Sequence, residues 1–198
     1  MSRIRSLALF ATVLVLAAAC GDRENTPSGP AVSPNAGAST SLETSGLQKF
    51  ALHGTVSGFP TGVVFLSGGG NYDPTTASNL VPSDTRVVAN GGFSCIRAVE
   101  QGPLNHCATD EGVRWDTAQL LASTSFRCRA SDAPVPISTG PQTAVLLADF
   151  YRAGDANEES FTAQMIVTSQ DLDPATDGTQ NLWIQGVGCG SAVVHFGG

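Results

Sequence analysis

The stretch Thr143-Ala144-Val145-Leu146-Leu147-Ala148-Asp149-Phe150-Tyr151 decides the fold class. It is apolar without a break from Ala144 to Ala148 and is rich in branched and aromatic residues. It is also too short to present a helical stripe, so it reads as a largely buried strand. Beyond it, Phe161, Ala163, Met165 and Val167 recur with period two and predict a strand with one inward face. Leu182–Val187 and Ser191–Phe196 follow, joined by Asp-, Asn- and Gly-rich connections, which reads as a meander.

Working toward the N-terminus, Phe50–Val56 predicts a first strand and Val63–Leu66 a second, ended by Ser67-Gly68-Gly69-Gly70-Asn71. Arg86–Ala89 and Phe93–Val99 flank Asn90-Gly91-Gly92, a sequence that favours a hairpin turn because these backbones tolerate positive φ. Val113–Leu121 is ambiguous between helix and strand. Thr124–Arg129 alternates, with Phe126 and Cys128 inward and Arg127 and its neighbours outward. About eight strands and almost no long helical pattern predict an all-β domain, an antiparallel β-sandwich or a small β-barrel. No strand has the long alternating pattern of a lipid-facing barrel wall.

Ahead of this domain, Arg3 and Arg5 precede an apolar run from Leu7 to Ala19, the layout of a secretory signal. The run ends in Leu16-Ala17-Ala18-Ala19-Cys20-Gly21. This resembles the lipobox of bacterial lipoproteins, although Ala17 stands where that family most often has leucine. The resemblance implies cleavage after residue 19, a diacylglyceryl thioether on Cys20, and a chain lipid-anchored to a membrane and exposed outside the cytoplasm. Residues 20–46 are then the lipidated N-terminus and a flexible linker. Gly, Ser, Thr, Asn and Pro dominate there, and such sequence cannot bury enough surface to offset its ordering entropy. Residues 47–198 make a single β domain.

With 10 Lys and Arg against 17 Asp and Glu the formal charge is −7, and removal of Arg3 and Arg5 makes it more negative still. Such a chain has no general electrostatic reason to bind nucleic acid. Setting Cys20 aside leaves Cys95, Cys107, Cys128 and Cys189, an even set that in an exported chain implies two disulfides. Three pairings are open. The preferred one is Cys95–Cys107 across a local loop and Cys128–Cys189 between distant segments.

Candidate chemistry is sparse. Asp171, Asp173 and Asp177 alternate with turn residues ahead of Gly178, and hard oxygens in a tight loop suit a structural calcium, the one cofactor the sequence suggests. The D-x-[DN]-x-[DN]-G spacing is missing, and solvated turns are the competing reading. Asp155, Asn157, Glu158 and Glu159 form a second acidic loop. Arg127 and Arg129 share a predicted strand face and are the candidate contacts for an anionic ligand. The acidic region between Asp149 and Asp177 offers them an internal partner instead. Trp115, Tyr72 and Leu104 sit in loop-like surroundings and serve either as core plugs or as a recognition patch, with Trp115 the candidate ligand contact. Neither G-x-S-x-G nor S-x-x-K occurs. Paired carboxylates for glycoside cleavage are set by the fold, and Asp116 and Asp149 are the suspects.

These features predict a non-catalytic cell-envelope lipoprotein module that binds a protein or glycan partner. The alternatives are a small secreted hydrolase with a carboxylate-based site and a structural subunit of an envelope or surface assembly.

Overall fold

A strand with apolar residues on both faces needs a cover on each side, and Thr143–Tyr151 has two. The computed structural model describes residues 46–58, 61–81, 84–152 and 161–198. Cys20, the linker and the acidic loop at Asp155–Glu159 lie outside the described residues. Ten strands follow in order: β1 (Gln48–Ser57), β2 (Val63–Tyr72), β3 (Val87–Arg97), β4 (Arg114–Leu120), β5 (Ser123–Phe126), β6 (Val135–Ser138), β7 (Thr143–Tyr151), β8 (Phe161–Thr168), β9 (Leu182–Ile184) and β10 (Gly188–Gly197). Eight of them close an antiparallel barrel in the order β1-β10-β9-β8-β7-β4-β3-β2, and β5 and β6 pair separately. The barrel alternative of the sequence reading is therefore the one observed. It is an up-and-down barrel with a hairpin inserted between β4 and β7, closed where Lys49 to Val56 pair with Gly197 to Gly190.

Side chains fill the barrel interior. Val56, Val64, Leu66, Trp115, Leu146, Phe150, Met165 and Ile184 occupy it, all fully buried. Phe93 and Phe150 meet edge to face at 5.1 Å. Near the start of β1, Phe50 packs against Tyr72 and Phe196 with centroids at 5.9 and 6.3 Å. Near its end, the segment between β3 and β4 turns inward and adds Val99, Leu104 and Cys107 to the core. A disulfide from Cys95 to Cys107 ties that segment to β3. Gly102 there lies against Gly186 after β9, where a Cβ on either would stand 2.5 Å from the other's Cα.

A second, smaller core lies outside the barrel wall. Leu121, Phe126, Val145, Ile166, Trp183 and Cys189 form it, with Ile137, Leu147 and Leu172 packed against them. The hairpin of β5 and β6 is its lid, and Cys128–Cys189 fastens the end of the hairpin to β10. This explains β7: Ala144, Leu146, Ala148 and Phe150 face the barrel, while Val145 and Leu147 face the lid. The preferred pairing of the cysteines is the observed one.

Two expectations are corrected. Ser67–Asn71 does not end a strand and Asn90-Gly91-Gly92 does not turn. β2 and β3 run straight through both and pair Gly69 with Asn90 and Gly70 with Ala89. The glycines are there because the strands crowd: a Cβ at Gly91 would lie 1.8 Å from the Ser67 carbonyl oxygen. They serve the barrel wall by close approach and not by reversal. The ambiguous Val113–Leu121 holds strand β4, with a register shift between Thr117 and Gln119 that lets both Trp115 and Leu120 face the core, while Gln119 is buried by bonding the Ser78 and Leu80 carbonyls.

Candidate functional site

Where the lid hairpin stops short of the β9–β10 turn, it leaves a cleft of about 540 Å³. That is the size of a small-ligand site, on the outer surface of the barrel wall. Ser125, Phe126, Arg127 and Arg129 come from the hairpin side, Gln164, Trp183 and Gln185 from the wall, and Gly102 and Pro103 from the segment after β3.

The local sequence builds this site by alternation. Thr124 and Phe126 point at the wall: the Thr124 hydroxyl donates to the Gln164 side-chain carbonyl, and Phe126 meets Trp183 edge to face at 6.3 Å. The Trp183 indole N–H donates to the Arg127 carbonyl at 3.0 Å, which fixes where the chain leaves β5. Gln185 accepts from the Gln164 backbone amide at 3.1 Å through its side-chain oxygen. Both glutamines line the cleft and use their side-chain oxygens inside the protein, and no described group takes up their NH2 groups. Ser125, between Thr124 and Phe126 on β5, is exposed. The Arg127 guanidinium reaches only the Ala130 carbonyl, at 3.2 Å, and is otherwise open to solvent. The lining is rich in unspent hydrogen-bond donors, and its ionisable groups are arginines.

Arg129 has a different task. Its guanidinium meets Asp173 at 3.1 Å and the Thr176 hydroxyl, while its backbone amide donates to Asp132 at 2.9 Å. The charge asymmetry of the sequence is therefore answered inside the domain at one point, between Arg129 and Asp173 of the late acidic loop. The expectation that Arg127 and Arg129 project together from a strand is corrected: both follow the end of β5, and Arg129 is held by the acidic loop.

That loop is also the expected calcium site. Asp171 accepts from the backbone amides of Asp173 and Gln180 at 3.1 and 3.0 Å, Asp173 holds Arg129 and Thr176, and Asp177 is exposed. Among the described residues no three His, Cys, Asp or Glu side chains converge as a metal would need.

Trp115 is corrected outright as a ligand contact. It is fully buried inside the barrel, with its indole N–H donating to the Ser67 carbonyl at 2.9 Å. Tyr72 and Leu104 are core plugs as well. Burial pushes the Tyr72 phenol up to about 12, and its hydroxyl donates to the Gly140 carbonyl at 2.8 Å. Asp73, beside it, is held below the usual carboxylate range by the Thr75 hydroxyl and amide and by Arg86.

Asp116 and Asp149 are brought together as direct cross-strand partners of β4 and β7. They lie on the outer wall, where Arg114 pairs with Asp116 at 3.7 Å and Thr162 donates to Asp149 at 2.9 Å. Neither lines the cleft.

Trp183, Gln164 and Gln185 escape sequence reasoning as site residues. Leu182–Val187 and Phe161–Val167 read as strands, but which of their outward residues escape the lid depends on the hairpin's length and tilt. Comparison of the chain with family models, with curated proteins and with solved structures found no match.

Proposed function

We propose that this chain is a non-catalytic lipoprotein of the cell envelope whose cleft binds a glycan rich in hydrogen-bond acceptors, such as an acidic oligosaccharide. The donor-lined cleft carries this reading. Gln164, Gln185 and Arg127, whose side chains keep N–H donors that no described group takes up, line it together with Trp183 and Phe126. Sugar hydroxyls and carboxylates accept from such donors, and aromatic carbon packs on sugar faces.

The chain enters β1 at Gln48, paired next to Gly197, whereas the cleft lines up with the other end of β1, where Gly188 lies against Ser57. A ten-residue strand spans roughly 30 Å, so the point where the chain enters the barrel and the cleft lie toward opposite ends of β1. The strand alternation also puts Lys49, His53, Arg114, Asp116 and Asp149 on the outer wall, which suits a domain bathed in water.

The hydrolase alternative rests on the Asp116–Asp149 pairing alone. That pair stands on a convex wall, whereas glycoside cleavage requires two carboxyls flanking a bound bond. Titrating the processed chain with oligogalacturonate and with maltoheptaose tests the binding reading through Trp183 emission. The acidic oligosaccharide should quench, the neutral one much less, and Arg127→Ala should remove the difference. Equal responses to both sugars, or none to either, would overturn the reading.

A further inference from the structure

A closed barrel satisfies its ladders only where neighbouring strands are equally long, and here they are not. β10 has ten residues and β9 three. β9 pairs with β10 only from Gly188 to Gly190. One residue pair beyond, the Asn181 side chain takes over: it donates to the Ala192 carbonyl at 3.0 Å and accepts from the Ala192 amide at 2.8 Å. Asn181 also donates its backbone N–H to the Gly190 carbonyl at 3.0 Å. These contacts fix the alternation, so that even-numbered residues of β10 turn their N–H and C=O away from β1. Val194 and Phe196 are the next two, and no described strand or side chain continues the ladder opposite them.

Other ladder ends in this domain are blunted. On β5, Ser123 is paired by the Asn79 amide, which accepts from its N–H at 3.3 Å and donates to its carbonyl at 3.1 Å. β6 carries Pro136 on its outer edge. Val193-Val194-His195-Phe196-Gly197 has neither proline, lysine nor carboxylate. Val193 is 61% exposed, and a Cβ at Gly197 would meet nothing within 4 Å. An edge of this kind, with unpaired N–H and C=O groups and no charge or proline to blunt it, is a template for another strand.

We infer that the outer edge of β10 at Val194–Phe196 docks the same edge of a second copy of this chain, antiparallel, with His195 facing His195 across the two-fold axis. The edge is complementary to itself in this register. The N–H and C=O of Val194 meet those of Phe196 in the partner, and the reverse, which gives four backbone hydrogen bonds about one axis. An edge without Asp, Glu, Lys or Arg offers nothing to select a charged foreign strand, and it lets two copies of formal charge −7 meet without opposing carboxylates along the new ladder. The site is separate from the cleft and stands whether or not the cleft binds a glycan.

Cysteine cross-linking of the full chain in the cells that make it tests the register. In this pairing the two residues 195 are directly opposed without hydrogen bonds, about 4.5 Å apart at Cα, within disulfide reach. Two residues 193 are about four strand steps, roughly 13 Å, apart and out of reach. His195→Cys should therefore shift to twice the monomer mass on oxidation, while Val193→Cys alone should not. Cells making both Val193→Cys and Gly197→Cys chains should yield a mixed dimer, which tests the same register should His195→Cys fail to fold. Absence of dimer from both the 195 and the mixed 193/197 experiments, equal cross-linking of Val193→Cys alone, or an adduct of another mass would overturn the inference.

Discussion

Replacing Cys128 and Cys189 together by alanine separates the two cores of this domain. The bond closes a loop of 61 residues. By loop-closure entropy its removal frees the unfolded chain by about 4 kcal/mol, against about 3 for the twelve-residue loop of Cys95–Cys107. Four is a large share of the roughly 5–15 kcal/mol that holds a domain of this kind together. Position adds to length. Cys128–Cys189 is the covalent tie between lid and wall, so its loss also lowers the cost of lifting the hairpin alone. The two tryptophans report this directly, since Trp183 lies under the lid and Trp115 inside the barrel. Urea titrations in Trp115→Phe and Trp183→Phe backgrounds isolate each emission. With the disulfide present the two curves should coincide. Without it both midpoints should fall, and Trp183 should redden at lower urea than Trp115. Coincident curves at an unchanged midpoint would refute both the entropy estimate and the division into two cores.

Three further outcomes follow from the geometry. Tyr72 keeps its proton up to about 12 in the folded chain against 10 when unfolded, so its contribution is complete below pH 10 and is lost as pH rises toward 12. The loss approaches about 3 kcal/mol, and Tyr72→Phe should flatten that part of the stability–pH curve, whereas parallel curves for the two chains would count against it. Gly186→Ala places a Cβ 2.5 Å from the Gly102 Cα at a φ of +76°, and should destabilise by about 1–3 kcal/mol in thermal melts, with an unchanged melting temperature as the contrary result. Because Asp171 and Asp173 are already engaged by amides, Arg129 and Thr176, EGTA should leave the melting temperature where it is; a fall on chelation that Asp171→Asn abolishes would be the contrary result.

The strand content was legible because period two survives wherever one face of a wall is wet, as in Phe161–Val167. Sandwich and barrel could not be told apart, since both bury one face of each strand. The difference lies in the pairing of β1 with β10, from opposite ends of the domain. The glycines of β2 and β3 mislead because glycine serves two needs, positive φ and close approach, and the second becomes visible only with a neighbouring strand in place. Trp115 reads as a loop residue because its neighbours Arg114, Asp116 and Thr117 are polar. They face solvent or bond across strands while it faces the core. The cleft was half legible: Arg127 and Arg129 stand out by charge, whereas Gln164, Trp183 and Gln185 belong to it only because the lid ends where it does.

The doubly buried strand β7 has a consequence for folding. Alternation normally sets register, because a slip of one residue would turn apolar side chains to water. From Ala144 to Ala148 that penalty vanishes, since the chain is apolar on both sides. Thr143, whose buried hydroxyl meets that of Thr168, marks the native alignment at one end, and Asp149, which cannot enter the barrel, and Phe150, which fills it, mark it at the other. The two ends of β7 therefore act as the indexing marks of this pairing, with the larger contrast at Asp149 and Phe150. A folding chain that pairs β7 with β8 before Asp149 and Phe150 have chosen their sides would populate an off-register sheet. Asp149→Leu, harmless to the native packing of an outward residue, should make that trapped population visible as a slow refolding phase.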